Sequence, residues 1–165
     1  MVLEGKRILG IDPGSGRMGH GLIEVIKSEP HLISYGCIET TVNSPETQKL
    51  SYIYDELIRL VGEIKPDLIA AEMLFFANNA KTAFSVGQAR GLILLVAAQS
   101  NIEFAEIAPL RLKKVLMGNG TCKKKDIQHF VKDYFGLEKP PKPDDAADAI
   151  SIALSQVFLE KSAST

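Results

Sequence analysis

At four positions this chain places an acidic side chain inside an apolar segment, and any fold it adopts must supply those charges with a partner. Asp12 closes the run Ile8-Leu9-Gly10-Ile11, and Glu72 lies within Leu68-Ile69-Ala70-Ala71-Glu72-Met73-Leu74-Phe75-Phe76. Asp145 and Asp148 open and then interrupt the apolar stretch that continues to Leu154. A carboxylate in such surroundings is costly unless a cation or hydrogen bonds compensate it. Acids from three separate segments therefore point to one shared counter-ion site. A donor set made only of oxygen favours a hard cation such as Mg²⁺.

A length of 165 residues fits a single domain with a full core, and 45% hydrophobic and 24% charged residues are ordinary for a soluble globular protein. Nothing approaches the roughly 20 apolar residues needed to cross a bilayer, so no membrane partner is expected. The start, Met1 to Arg7, lacks the basic-then-apolar layout of a secretion signal, which predicts a cytoplasmic protein. Cys37 and Cys122 have no CxxC spacing or nearby His pair and read as incidental thiols. The formal net charge of −1 conceals a basic stripe, Arg111, Lys113, Lys114, Lys123, Lys124 and Lys125, with no acid among them. Such a stripe suits a phosphate backbone, or simply a solvated surface.

Periodicity and punctuation predict the element order. Arg7–Asp12 reads as a buried strand, followed by strands over 19–27 and 31–40 with a turn at Ser28-Glu29-Pro30. Connections this short make antiparallel neighbours. Ser44-Pro45 is the start signal of a helix reaching Ile64, whose apolar positions recur at helical spacing. Pro66 ends it, and residues 67–74 form a fourth strand, parallel to the first because a crossover reaches it. Asn78 or Asn79 caps a helix through Gln99, a fifth strand covers 102–107, and helices follow over 109–117, 124–135 and 144–161. The result is an α/β fold: a five-stranded mixed sheet, three strands antiparallel and two parallel, flanked by helices on both faces. Residues 1–161 form one domain, and 162–165 a disordered tail. Parallel first and fourth strands would bring Asp12 and Glu72 together at their carboxyl ends, where α/β sheets favour ligands. Asp145 and Asp148 share one helix face, with about 5–6 Å between Cβ atoms.

Taken singly, these acids have simpler explanations. Asp145 suits the first turn of a helix, and Asp12 suits a turn before Pro13-Gly14. Glu72 has no such excuse in a strand core. The glycines at 14, 16, 19 and 21 suggest a nucleotide loop, but that requires a following helix N-terminus, and here they join two strands.

The ordered set of motifs resembles a known family. Ile8-Leu9-Gly10-Ile11-Asp12-Pro13-Gly14 with Gly19-His20-Gly21 is similar to the start of the RuvC Holliday-junction resolvases. So are the segment Ala71 to Ala80, Gly87-Gln88-Ala89-Arg90-Gly91, Ala108-Pro109, Gly118-Asn119-Gly120 and Asp145-Ala146-Ala147-Asp148-Ala149. The resemblance covers essentially the whole chain. It implies an RNase H-like fold, a homodimer, and endonuclease activity on four-way DNA junctions, with paired symmetric nicks, in homologous recombination and DNA repair. It also implies RuvA and RuvB as branch-migration partners. The family's catalytic, metal-holding acids fall on Asp12, Glu72, Asp145 and Asp148, its junction aromatic on Phe75, and its DNA-contacting lysines on Lys113 and Lys124. Arg111 and Lys123 flank those lysines and are expected to touch DNA as well. Met73-Leu74 and Thr121-Cys122 depart from the commonest family residues.

Phosphodiester hydrolysis of this kind uses two Mg²⁺ ions, for which Mn²⁺ can substitute, about 3.5–4 Å apart. Asp12, central at the end of its strand, would bridge them. Glu72 and Asp145 would hold the ion on the water side, and Asp148 the other. Strand alternation buries one of Phe75 and Phe76 and exposes the other; the resemblance implies that Phe75 stacks on a base, which leaves Phe76 for the core. A two-fold junction with one site per chain requires a symmetric dimer. The helix 80–99, apolar almost all round, fits its seam or a fully buried position in one chain. Two rival readings are an actin-like or sugar-kinase ATPase domain and a non-catalytic junction-binding protein. The first needs a second domain around its nucleotide, and the second needs no acid quartet.

Overall fold

The structure, a computed structural model, describes residues 4–74 and 80–163. Its strands are β1 (Arg7–Asp12), β2 (Arg17–Ile26), β3 (Glu29–Glu39), β4 (Leu68–Glu72) and β5 (Glu103–Ile107). Its helices are α1 (Glu46–Ile64), α2 (Ala80–Gln99), α3 (Pro109–Met117), α4 (Lys124–Tyr134) and α5 (Asp144–Ala163). The five strands form one sheet in the order β3-β2-β1-β4-β5. The first three pair antiparallel, and β4 and β5 run parallel to β1. This is the mixed sheet that the connection lengths predict.

Alternation along the central strands decides what each face carries. Ile8 on β1, Ile23 and Val25 on β2, and Leu68 and Ala70 on β4 pack into a core with α3, α4 and α5. Leu9 and Ile11, Met18 and Leu22, and Ile69 pack instead with α1 and α2. Asp12 is two residues beyond Gly10 and four beyond Ile8, so it belongs to the α5 face. Glu72 follows Leu68 and Ala70 onto the same face.

Helix α5 lies very close to that face because glycines clear the way. A Cβ at Gly10 would collide with the Ala149 carbonyl, and one at Gly19 with the Asp145 carbonyl. At Gly21 it would come within 2.7 Å of the Ile150 side chain. On the helix side, Ala146, Ala149 and Ala153 are fully buried. Small residues on both partners thus let the helix carry Asp145 and Asp148 in over β1 and β2.

Several boundaries differ from expectation. The β2–β3 turn falls on Lys27 and Ser28, both with positive φ (52° and 65°), and Pro30 lies inside β3 opposite Val25. An edge strand tolerates that proline because its missing N–H removes nothing needed by a neighbour. Both turn N–H groups donate to the Glu4 carboxylate, at 2.9 and 3.0 Å. Ser44 does not cap α1: Pro45 occupies the cap position with an extended ψ of 145°, and no side chain caps the helix. β4 ends at Glu72, two residues short of the predicted Leu74. Helix α5 continues through Ser162 and Ala163, where a disordered tail is expected from sequence.

Candidate active site at the ends of the central strands

Strand pairing sets the acids side by side. β1 and β4 run in parallel register with Ile11 opposite Ala71, so Asp12 and Glu72 each follow by one residue at the carboxyl ends. Asp12 also pairs with Gly19 across β1 and β2. Gly19 is where the Asp145 carbonyl presses on the sheet, and Asp148 follows one helical turn later.

Their mutual field confirms the crowding. Burial, then Asp148, Asp145 and Glu72 in turn, push the Asp12 carboxyl up to about 7, against the pull of Lys124. Burial and Asp148 raise Glu72, with Lys124 and Lys113 opposing. Burial raises Asp148 despite a hydrogen bond from Lys124. The Lys124 ammonium loses to burial but gains more from Asp148, Asp12 and Asp145, and so sits above its ordinary value. Asp12, Glu72 and Asp148 therefore share less positive charge than they need.

Two cations stand over the helix acids. Lys124 Nζ lies 2.6 Å from Asp148 Oδ2. Arg17 Nη1 lies 3.5 Å from Asp145 Oδ2, and its Nε lies 3.2 Å from Glu39 Oε1. Beside the acids opens a cleft of about 180 Å³, walled by Glu72, Asp148, Lys113, Lys124 and apolar side chains of α3, α4 and α5.

Among the described residues, no three Asp, Glu, His or Cys side chains converge as they stand into a ready ligand set. The donor chemistry nonetheless fits a hard divalent cation. The donors are all oxygen, they come from three elements, and the raised proton affinity of Asp12, Glu72 and Asp148 marks charge that lacks a partner. Lys124 and Arg17 occupy two of the oxygens such an ion would take.

The other expected residues separate. Lys113 and Lys124 line the cleft. Arg111 and Lys123 are exposed and do not line it. Lys123 instead opens α4, its backbone N–H donating to Asp126 at 2.7 Å. Phe75, Phe76, Asn78 and Asn79 lie outside the described residues. The Gly118–Gly120 loop is shaped by Asn119, whose Oδ1 accepts from the N–H groups of Thr121 and Cys122 at 3.2 Å each. Cys37 and Cys122 are both free thiols. Burial and then Asp145 push the Cys37 thiol up to about 11, so it stays protonated at neutral pH.

Arg17 is the residue that sequence reasoning missed. Its signal was strand parity: Arg17, Gly19 and Gly21 share a face of β2, and the two glycines lie beneath α5. Arg90 stands in the motif Gly87-Gln88-Ala89-Arg90-Gly91 without an assigned role. Its guanidinium pairs with Glu106 at 2.6 Å and ties α2 to β5.

A family model described as crossover junction endodeoxyribonuclease RuvC matches residues 8–156. The RuvC crossover junction endodeoxyribonuclease of Caldicellulosiruptor saccharolyticus is 41% identical over 157 residues, spanning 94% of this chain and 95% of the relative. The solved structure of Thermus thermophilus RuvC superimposes with a TM-score of 0.87 at 26% identity, covering 95% of this chain and 96% of that one. The same Thermus protein in complex with a Holliday junction substrate gives 0.85 at 25% identity, over 94% and 96%.

Proposed function

From its membership of the RuvC family of crossover junction endodeoxyribonucleases, to which this chain belongs, we infer an endonuclease that resolves four-way DNA junctions in homologous recombination and DNA repair. The observation that carries this reading is the gathering of Asp12, Glu72, Asp145 and Asp148 at one end of the sheet, beside a cleft lined with lysine.

The reaction depends on divalent metal. We assign Mg²⁺, two ions per site with Mn²⁺ able to substitute, held by the four carboxylates with Asp12 central. Bound there, the ions supply the positive charge that activates water and neutralises the leaving oxygen. The chain's own groups do the rest. Asp12 pairs with Gly19 on β2 and Glu72 with Ile107 on β5, so the sheet fixes both backbones. Lys113 and Lys124 meet the phosphates at the cleft, and Lys124 is released for that purpose once Asp148 is engaged elsewhere. Phe75 would stack on a base opened at the crossover, and Arg111 and Lys123 would touch outlying phosphates.

Two related cuts need two related sites, so the working form is a symmetric dimer. Helix α2 offers the seam. Ala89, Ile93, Val96 and Ala97 turn into the core, while Phe84 and Leu95 on the other side are 69% and 45% exposed. The dimer works in the cytoplasm beside the branch-migration proteins RuvA and RuvB.

The test is a labelled synthetic four-way junction incubated with Mg²⁺ beside a linear duplex. Paired symmetric nicks in the junction alone are expected. Tight binding without cutting would leave a binding protein, and ATP turnover without cutting would leave a kinase-like domain.

A further inference from the structure

The two cations over α5 approach from opposite sides, and only one of them was expected. Lys124 reaches Asp148 from α4 at 2.6 Å, beside Lys113. Arg17 reaches Asp145 from the first residue of β2, on the side where β3 contributes Glu39. We propose that Arg17 forms a second phosphate subsite, across the acid cluster from Lys113 and Lys124, which opens when a divalent ion takes Asp145.

The geometry favours release. Arg17 divides its charge between two carboxylates at 3.2 and 3.5 Å, and the three side chains are 47%, 59% and 31% exposed. Exposed pairs of this length hold weakly. A divalent ion on Asp145 neutralises that carboxylate and repels the guanidinium beside it, so the 3.5 Å contact loosens and Glu39 becomes the main partner of Arg17. A guanidinium carries five N–H donors in a fixed fork suited to phosphate oxygens, and the two contacts engage only Nε and Nη1. Phosphates succeed one another along a strand on either side of the bond to be cut. Lys113 and Lys124 hold one side, and a strand laid across the acids meets Arg17 on the other. Strand parity makes the placement firm, because Arg17 shares the face of Gly19, over which Asp145 sits.

This subsite rests on the nuclease reading, and its test separates the two. Binding of a labelled four-way junction is titrated with salt for wild type, Arg17→Ala and Arg17→Lys, once with Ca²⁺ and once with EDTA. With Ca²⁺, Arg17→Ala should reduce the slope of log affinity against log salt by about one. Between 50 and 200 mM salt, wild type should then lose about three- to fourfold more affinity than this variant. Arg17→Lys should keep the wild-type slope, and in EDTA the three proteins should share one slope. A wild type that cuts junctions, with Arg17→Ala showing the wild-type slope in Ca²⁺, overturns the subsite alone. An equal loss of slope with and without the ion overturns its coupling to Asp145. A wild type that neither binds nor cuts overturns the nuclease reading and the subsite with it.

Discussion

Asp12 illustrates how much one residue carries. Its carboxyl is raised from 3.8 to about 7 by burial and by three neighbouring acids. A folded-state value above the unfolded one means the native state holds its proton longer. Its contribution to stability is therefore present below about pH 4 and lost as pH rises towards 7. Three units correspond to at most about 4 kcal/mol. Metal-free protein should accordingly melt lower at pH 7.5 than at pH 5, and Asp12→Asn should flatten that slope while removing cleavage by about 10²-fold or more. Thermal melts in EDTA across that range decide it, and a wild type indifferent to pH would refute the assignment of charge crowding at Asp12. Added Mg²⁺ should raise the wild-type melting temperature at pH 7.5 and leave Asp12→Asn nearly unmoved. The lysines have a different signature. Lys113→Ala should weaken binding of junctions of any sequence and lower the salt slope by about one. Normal binding throughout a salt titration would mark it as ordinary surface. The acids were legible in the sequence because charge inside apolar runs is rare. Arg17 was not, because the sequence starts the second strand at Gly19 and leaves this arginine in the loop before it, whereas β2 begins at Arg17 and puts it on the face of Gly19.

At the scale of elements, the chain announced what depends on local chemistry and concealed what depends on distant partners. β1 and α3 fall where sequence places them, since Asp12-Pro13-Gly14 and Pro109 punctuate them. The β2–β3 turn does not, because Lys27 and Ser28 adopt positive φ without glycine or asparagine and are braced by Glu4 from the N-terminal segment. The close seating of α5 was half visible. Gly19 and Gly21 stand out in the sequence only as part of a connection between two strands and Gly10 carries no signal, yet all three face α5, where Ala146, Ala149 and Ala153 are fully buried. Gly10→Ala tests that contact. The added methyl meets the Ala149 carbonyl backbone, which cannot rotate away, so the helix must lift from the sheet. Overpacking of this kind costs about 1–3 kcal/mol, and lifting α5 also draws Asp145 and Asp148 away from Asp12. Chemical denaturation and junction cutting should both suffer. A stable Gly10→Ala protein with normal cutting would show that the helix need not sit so near.

The whole molecule is where sequence left its widest choice, between a helix buried in one chain and a helix shared by two. α2 turns out to divide its surface. Ala89 and Ile93 are fully buried, whereas Phe84 and Leu95, eleven residues apart and so nearly in line on a helix, stay exposed. Gly91, between them and also exposed, would allow a second backbone to come near. The proposed symmetric seam predicts an outcome out of proportion to a surface change. Leu95→Glu alters an exposed side chain, so the stability of the single chain should shift by no more than about 0.5 kcal/mol. In a two-fold interface the same substitution enters twice, removing two apolar contacts and placing two negative charges near the axis. Sedimentation should show the variant as a monomer at concentrations where wild type is a dimer. The active-site residues are untouched, so any residual cutting should appear as single nicks instead of paired ones. A Leu95→Glu protein that sediments as a dimer and still makes paired cuts would place the seam elsewhere on the chain.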